Sequence, residues 1–289
     1  TELFASQVGE FIKTYDNENP FFAYVAFMAP HDPRTMPQEF LDMYDRDDMD
    51  IGDSFVEMHP FDNGSLTVRD ELIATIPRVE SDVRQHLAEY YAMISHIDSE
   101  IGKVLDILRE TDQLENTIIA FAGDNGLAVG RHGLMGKQSL YEHSIHIPMI
   151  LSGPGIAKNK ITNARAYTVD FYPTLCELAG AEVPDTVMGH SLVPVLKGEL
   201  DTTREYFYYV YKEFIRAINV NGMKLIEYNV YGKRHTQLFD INKDPMEIND
   251  LSNDPSKSEV IDDLRVKLLQ AKEEYGDNLL PFSTFWEGF

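Results

Sequence analysis

The sequence contains a single cysteine among its 289 residues, Cys176. One cysteine excludes an intramolecular disulfide and a cysteine-based zinc site. Basic residues are also scarce: Lys and Arg total 25 against 48 Asp and Glu, which gives a formal net charge of −23. Proteins whose main role is to bind nucleic acid or to dock broadly on anionic membranes need basic surfaces, so this balance argues against both classes. It leaves room for an anionic small ligand held by one local positive site, because distant charges are screened.

Long apolar runs are missing as well. No stretch approaches the roughly 18–20 uncharged apolar residues of a membrane-spanning helix. The chain begins Thr-Glu-Leu-Phe, without a recognisable signal peptide. From this start we expect the sequence to begin inside a longer protein.

Helical and strand patterns alternate over the first two thirds of the chain. Apolar residues at helical spacing predict helices, and short apolar runs bounded by turn residues predict buried strands. The predicted helices cover residues 4–15, 80–110 and 169–179, and the predicted strands cover 21–27, 117–122 and 147–151. This alternation predicts an α/β fold with a mostly parallel sheet flanked by helices. The acidic segment from about 46 to 79 is predicted to be a long surface excursion with short helices.

The pattern changes after about Gly198. Short strand patterns separated by turns such as Asn221-Gly222 predict a small antiparallel sheet, and apolar spacing over 260–271 predicts a late helix. The strand patterns cover residues 205–211, 214–220, 223–228 and 236–240. We therefore predict two parts, an α/β domain over 1–198 and a small α+β subdomain over 199–289.

Polar residues follow two of the predicted strands. His31 and Asp32 follow the first, and Asp124 and Asn125 follow the second between glycines. Ligands of an open parallel sheet bind at the carboxyl ends of its strands. Asp and Asn offer the hard oxygen atoms that Ca²⁺ or Mg²⁺ prefer. The sequence therefore predicts a cation site at Asp124 and Asn125.

The segment after this pair is rich in glycine and positive charge. It contains Arg131, His132 and Lys137 within a few residues. Such a loop is typical of an anion cradle, in which Lys137 acts as a point charge. His143 is a further candidate to contact a substrate, and Glu142 either does the same or holds the lysine loop in place.

Each of these residues also has an ordinary interpretation. Asp-Asn-Gly is a common turn, and most lysines are solvated surface residues. His31 alone is typical of a loop histidine, and Arg131 and His132 alone are typical of surface residues. The order of the motifs along the chain favours the functional interpretation: His31, then Asp-Asn-Gly, then Gly-Lys.

Five segments resemble the sulfatases of the alkaline-phosphatase superfamily. In chain order they are FFAYVAFMAPHDP, IIAFAGDNGLAVGRHGLMGKQSLYEHSIHIPMILSGPGI, YTVDFYPTLCELAG, GHSLVPVLKGE and LFDINKDPMEINDLSND. The resemblance runs through nearly the whole chain and implies a partial alkaline-phosphatase-like fold. It also implies hydrolysis of sulfate monoesters by a formylglycine, which the family makes from the Cys or Ser of a Cys-x-Pro-x-Arg-type motif, next to a bound Ca²⁺.

The resemblance assigns roles to matching positions. Asp124 and Asn125 correspond to the late pair of metal ligands, with Ca²⁺ expected and Mg²⁺ or Mn²⁺ as alternatives. His31 corresponds to the histidine that contacts the sulfate and assists the leaving group, and Lys137 to the lysine on the sulfate or bridging oxygen. Groups that donate a proton or positive charge there stabilise the charge that develops in the transition state. Arg131, His132 and His143 are expected to bind substrate.

The sequence departs from the family in one respect that bears on activity. It has no Cys-x-Pro-x-Arg motif and no serine version, and its cysteine lies in Cys176-Glu177-Leu178-Ala179-Gly180. The early Asp pair and early Gly-Lys segment of the family are absent too. We expect this chain alone to be inactive, and a missing N-terminal half or a partner chain to complete the sheet, whose edge would otherwise be unpaired.

Two other functions remain open on the sequence. A phosphoric or phosphonic ester hydrolase of the same superfamily more often has Asp-His-Gly at the metal pair, so Asn125 favours Ca²⁺ and sulfate. A non-catalytic relative that binds anions or Ca²⁺ is the third hypothesis. By the resemblance we expect a sulfated carbohydrate or an aryl sulfate as substrate and a periplasmic, extracellular or lysosomal location, with no nucleic acid partner and no membrane span.

Overall fold

The computed structural model describes residues 1–16, 18–279 and 281–289. The chain divides into two compact units. The first comprises residues 1–51, 78–119 and 151–155, and the second comprises 52–77, 120–150 and 156–289. The sequence predicted a different division, between a catalytic domain that ends at residue 198 and a subdomain that begins at residue 199. That boundary stays a prediction.

The first unit is built on one long helix. Its helices are α1 (Glu2–Thr14), α2 (Gln38–Leu41) and α3 (Glu80–Glu110), with single 3₁₀ turns at Arg46–Asp48 and Leu114–Asn116. The predicted helix over 80–110 is confirmed, and α3 buries an apolar stripe that includes Val83, Met93 and Ile97. A Cβ atom on Gly9 of α1 would lie 2.4 Å from Ile107 Cδ1, so a glycine lets α1 approach α3 closely.

The strand predicted at residues 21–27 is wrong. Within the described part of the chain these residues belong to no helix and no strand. Phe22 and Tyr24 are 77% and 83% exposed. An apolar run becomes a buried strand only where neighbouring strands accept its backbone hydrogen bonds, and the sheets described in this chain contain no partner for it. His31 therefore follows a segment without regular secondary structure.

Two strands and a short helix make up the middle of the chain. Strand β1 (Ile119–Ala122) pairs with β2 (Met149–Ser152) in a two-stranded sheet, and α4 (Glu142–Ile145) lies between them in sequence. Both strands were predicted to within two residues. The expected missing half of the sheet stays a prediction.

The helix predicted over 169–179 is also confirmed. A 3₁₀ turn at Thr168–Asp170 leads into α5 (Phe171–Leu178), which is followed by α6 (Val193–Leu196). Gly180 adopts φ +69°, and the backbone N–H of Ala181 donates to Cys176 O at 2.8 Å. This is the hydrogen bonding of a Schellman motif, so Gly180 ends the helix as predicted.

The second unit contains the four-stranded antiparallel sheet expected near the C-terminus. Its strands are β3 (Tyr206–Tyr211), β4 (Ile215–Val220), β5 (Met223–Val230) and β6 (Lys233–Asp240), in the order β3-β4-β5-β6. Asn221 and Gly222 join β4 and β5 with φ of +52° and +89°, as a two-residue hairpin turn requires.

Both faces of this sheet are covered. Helix α7 (Ser258–Glu274) packs Leu264 and Leu268 against one face. The other face packs against the glycine-rich segment through Leu134, Leu140 and Tyr141. The sheet therefore supports the glycine-rich segment that carries Arg131 and Lys137.

The segment over 46–79 is more than the predicted surface excursion. A 3₁₀ turn occupies Arg69–Ile73, and His59, Asp70 and Glu71 are buried. Their side chains accept or donate hydrogen bonds inside the second unit, which compensates the cost of burying them. No described helix combines the length and apolar character needed to cross a membrane.

Candidate active site

The segment that carries Arg131 and Lys137 folds back on itself. The backbone N–H of Ala128 donates to Gly136 O at 2.9 Å, and that of Gly130 donates to Leu134 O at 2.7 Å. At the tip, His132 and Gly133 adopt φ of +54° and +73°. These bonds bring the residues after Asp-Asn-Gly alongside the residues before Lys137.

The tip of this loop rests on the segment over 54–59. The backbone N–H of His132 donates to Ser54 O at 2.7 Å. A Cβ atom on Gly133 would lie 2.3 Å from the backbone nitrogen of His59. Only glycine permits both this approach and the positive φ, so the tip has one docked position.

Glu71 fixes the backbone immediately before Lys137. Its Oε2 accepts from the N–H of Met135 at 2.8 Å and its Oε1 from the N–H of Gly136 at 2.9 Å, and the residue is 2% exposed. A carboxylate that accepts two adjacent backbone N–H groups is held by charge-assisted bonds. Sequence reasoning missed Glu71 because it lies 64 residues from Met135 along the chain.

Asp70 and Gln138 surround the lysine. The Lys137 ammonium lies 3.8 Å from Asp70 Oδ2, and its side chain is 26% exposed. Gln138 donates to the same oxygen at 2.7 Å. Burial alone would raise the pKa of Asp70, but the hydrogen bonds from Gln138 and Arg69 and the charge of Lys137 outweigh it and lower that pKa. Lys137 is therefore a half-buried cation beside an ionised carboxylate.

The Asp-Asn-Gly turn is anchored to the residues after the lysine loop. The backbone N–H of Gly126 donates to Ser144 O at 2.9 Å, and a Cβ atom on Gly126 would lie 2.1 Å from His143 O. Asp124 Oδ1 accepts from the N–H of Asn125 at 2.8 Å, and Asn125 Nδ2 donates to Gly126 O at 2.9 Å. The turn therefore needs glycine at position 126 for a close contact rather than for an unusual φ.

The oxygen atoms of this turn suit a hard cation. Asp124 Oδ2 and Asn125 Oδ1 are not used in the hydrogen bonds within the turn. Calcium takes roughly six to eight oxygen ligands, so these two side chains fit as part of a set. The donors contain no imidazole or thiolate, which argues against zinc at this position.

His132 and His143 lie together beside Tyr141. The rings of His132 and Tyr141 stack at 4.0 Å and an angle of 1°, and the two imidazoles are 5.3 Å apart. The His132 Nε2–H donates to Glu247 O at 3.1 Å. Burial lowers the pKa of His132 to about 4 and that of His143 well below its usual value, and nearby cationic groups add to both effects. Both imidazoles are therefore neutral at pH 7.

The predicted substrate-binding residues line one cavity. Arg131, His132 and His143 share a cavity of about 300 Å³. Among the described residues, His132 Nδ1 and His143 Nε2 are buried without a hydrogen-bond partner. A neighbouring cavity of about 690 Å³ also includes His132 and Tyr141 in its wall, together with Phe61. These two nitrogen atoms, which lack a hydrogen-bond partner, are able to bind the hydroxyl groups of a ligand.

Lys224 of β5 ties this region to the sheet. Its side chain is fully buried, and the ammonium lies 2.9 Å from Glu142 Oε1 and 2.8 Å from Glu247 Oε1. Glu247 Oε2 accepts from the N–H of Glu142 at 2.6 Å. Burial opposes ionisation of Glu142, but the hydrogen bond from His146 and the charge of Lys224 bring its pKa to about 2. Glu142 is therefore paired with Lys224 and also lines the cavity of Arg131, His132 and His143, so both of its predicted roles stay predictions.

His31 lies in the first unit and is exposed. Its Nδ1–H donates to Asp32 O at 3.0 Å, and its backbone N–H donates to Met28 O at 3.1 Å. The assignment of His31 to the leaving group stays a prediction, as do the roles of Lys137, Asp124 and Asn125.

Two family models match the chain. One, described as Sulfatase, matches residues 1–181, and the other, described as N-sulphoglucosamine sulphohydrolase, C-terminal, matches residues 130–274. The first alone covers more than half of the 289 residues. The chain belongs to the sulfatase family. The resemblance found in the five sequence segments is therefore confirmed.

Individual relatives agree with this membership. An arylsulfatase of Clostridium perfringens is 30% identical over 278 residues, which are 92% of this chain and 56% of that protein. An N-acetylglucosamine-6-O-sulfatase of Bacteroides thetaiotaomicron is 31% identical over 208 residues, which are 68% of this chain and 37% of that protein. The chain thus spans about half the length or less of these curated relatives.

A solved structure confirms the predicted fold class. The phosphonate monoester hydrolase of Agrobacterium radiobacter aligns with a TM-score of 0.79 and 23% sequence identity, over 94% of this chain and 60% of that one. At this identity the likeness concerns the fold, and it supports a partial alkaline-phosphatase-like α/β domain for this sulfatase-family chain.

Several residues of the candidate site escaped the sequence analysis. They are Asp70, Glu71, Gln138, Lys224 and Glu247. Gln138 and Glu247 lie inside two of the five resembling segments, which is the signal that could have found them. Asp70, Glu71 and Lys224 carry no local pattern, because their partners lie far away along the chain.

Proposed function

We propose that this chain is part of a sulfuric ester hydrolase that acts on sulfated carbohydrate or aryl sulfate esters. Family membership supports the reaction class. The observation that carries the proposal is the fixed backbone before Lys137, where Glu71 accepts from two successive N–H groups. A preorganised cation stabilises an anion without a reorganisation cost, which is what a sulfate-binding site needs.

In this proposal Lys137 binds the sulfate or bridging oxygen. Positive charge at that oxygen stabilises the transition state more than the ground state, because negative charge grows there as the ester bond breaks. His31 donates a proton to the leaving oxygen. Asp124 and Asn125 supply two ligands for Ca²⁺, which when bound neutralises sulfate oxygens.

We further propose that the chain does not turn over sulfate esters by itself. The sequence has neither the Cys nor the Ser form of the formylglycine motif, so the nucleophile has to come from a further segment or a partner chain. The chain would then bind sulfate but not hydrolyse its esters.

The test separates binding from turnover. The chain is titrated with inorganic sulfate in the presence of Ca²⁺, and is assayed separately with a chromogenic aryl sulfate. We expect sulfate binding that is lost in Lys137→Gln and kept in Lys243→Gln, since the Lys243 side chain is 84% exposed on the surface. Equal sulfate binding by both variants would contradict the role of Lys137. Turnover by the chain alone that disappears in Lys137→Gln would contradict the inactivity.

The phosphoric or phosphonic ester alternative is the weaker one. The structural likeness to a phosphonate monoester hydrolase concerns the fold, whereas Asn125 at the metal pair favours Ca²⁺ and sulfate. Phosphate that binds tighter than sulfate, with Mn²⁺ or Zn²⁺ in place of Ca²⁺, would favour the alternative. Anion binding with no turnover after addition of a formylglycine-bearing segment would favour the non-catalytic hypothesis.

The substrate class is proposed from relatives and cavity chemistry. One relative is named for 6-O-sulfated N-acetylglucosamine. The cavities beside His132 offer unpaired imidazole nitrogens and aromatic rings, which suit the hydroxyl groups and faces of a sugar. We also propose a periplasmic, extracellular or lysosomal location, which fractionation of the source cells would test.

A further inference from the structure

Three possible metal ligands meet within the first unit. Glu2 begins α1, and His96 and Glu100 lie four residues apart on α3. One ligand atom from each of these residues lies within 4.8 Å of the other two. Residues four apart share one face of a helix, so α3 presents its imidazole and carboxylate side by side. Nothing in the proposed sulfatase chemistry uses this cluster.

The imidazole of His96 has an unsatisfied nitrogen aimed into the cluster. His96 is 6% exposed, and its Nε2 is buried without a hydrogen-bond partner among the described residues. This nitrogen lies 3.6 Å from Glu2 Oε1, too far for a hydrogen bond. Phe40 stacks on the ring at 5.0 Å and 28°, which holds its plane. A buried polar atom without a partner is costly, and a metal ion would remove that cost.

The carboxylates differ in their surroundings. Glu100 is 3% exposed and pairs with the ammonium of Lys103, whose side chain is 62% exposed. Glu2 is on the surface, with a side chain that is 67% exposed. The exposed Glu2 gives an ion a route into the cluster. The Lys103 ammonium competes with such an ion for the Glu100 carboxylate.

We propose that Glu2, His96 and Glu100 form a binding site for a divalent transition metal, Zn²⁺ in the first place. Zinc sites with three protein ligands combine imidazole and carboxylate donors and leave a fourth position to water. Tetrahedral zinc with bonds of about 2.0–2.1 Å places its ligands roughly 3.4 Å apart, close to the 3.6 Å between His96 Nε2 and Glu2 Oε1. Calcium and magnesium avoid imidazole, so this site differs in kind from the oxygen pair at Asp124 and Asn125.

The site is tested on the full 289-residue chain after removal of metal with a chelator. Zn²⁺ is titrated by calorimetry, and Co²⁺ is added as a spectroscopic probe of tetrahedral coordination. Loss of a residue that merely orients a metal ligand costs about 10–100-fold in affinity. We therefore expect His96→Gln and Glu100→Gln to weaken one Zn²⁺ site by more than about 100-fold, and Lys103→Gln to strengthen it.

The matched control is His146→Gln. His146 also stands four residues from a glutamate, Glu142, at 3.3 Å, but no third ligand joins that pair in the described chain. We expect this variant to keep the Zn²⁺ site, and Ca²⁺ not to compete for it. Circular dichroism confirms that each variant is folded. Absence of a Zn²⁺ site in the wild-type chain would overturn the proposal. So would a Zn²⁺ affinity in the folded His96→Gln and Glu100→Gln variants that equals that of the wild type.

Discussion

The ammonium of Lys224 lies 2.8 Å from Glu247 Oε1, and both side chains are buried. The pair joins β5 of the C-terminal sheet to the segment after β6. Glu142 adds a second carboxylate to the same ammonium from the end of the lysine loop. Correct placement of the loop therefore depends on a charge located in the C-terminal sheet.

Replacement of this lysine tests that dependence. Lys224→Met leaves the buried Glu247 without a counter-charge and removes one from the partly exposed Glu142, and removal of one partner of a buried ion pair costs about 3–5 kcal/mol. We expect the free energy of unfolding, measured in urea, to fall by that amount. Lys243→Met is the control, because its pair with Asp240 is on the surface and is worth about 0–1 kcal/mol. Similar losses of unfolding free energy in both variants would show that the buried pair stabilises the fold no more than the surface pair does.

Glu71→Gln tests the support behind Lys137. The amide of glutamine keeps one acceptor and turns a donor toward a backbone N–H, so one of the two bonds is lost. We expect a loss of about 1–3 kcal/mol in unfolding free energy and weaker sulfate binding. Glu57→Gln, on the exposed part of the same segment, is expected to change neither. Unchanged sulfate affinity in a destabilised Glu71→Gln protein would contradict the positioning role.

His132 makes stability depend on pH. Burial lowers the pKa of His132 in the folded chain from 6.5 to about 4, so between these two pH values the unfolded chain binds a proton that the folded chain does not. The contribution of His132 to the free energy of unfolding is therefore complete above pH 6.5. It falls as the pH drops toward about 4, by about 3 kcal/mol in total. His132→Asn removes the titration, and asparagine tolerates the φ of +54°. We expect denaturant unfolding of the variant to show a smaller loss between pH 7 and 4 than the wild type; equal losses would contradict this account.

Gly126→Ala tests the anchoring of the Asp-Asn-Gly turn. A Cβ atom there would lie 2.1 Å from the backbone oxygen of His143, so the turn has to move. We expect a lower melting temperature and weaker Ca²⁺ binding. Gly102→Ala is the control, since a Cβ atom at this helical position meets nothing within 4 Å, and alanine favours helix by about 1 kcal/mol. Calorimetric unfolding and Ca²⁺ titration give both readouts, and unchanged values in Gly126→Ala would refute the close contact.

Part of the candidate site was predicted from local sequence. Asp124, Asn125 and Lys137 stand in motifs whose residue types predict a chemistry, and these roles stay predictions. Their supports were not readable: Glu71 contacts a loop 64 residues away, and Lys224 contacts Glu142 across 82 residues. A carboxylate that holds a loop has no distinctive neighbours in sequence, so its role depends on long-range contacts.

The sequence by itself determined the long helix α3, the C-terminal antiparallel sheet with α7, and the family, because periodicity and motif order are local properties of the chain. Only the tertiary structure decided that residues 21–27 form no strand, that Glu142 pairs with Lys224, and that His132 and His143 are partly buried and neutral. Strand pairing, ion pairing and desolvation each depend on which distant groups come into contact, and apolar periodicity carries no record of them.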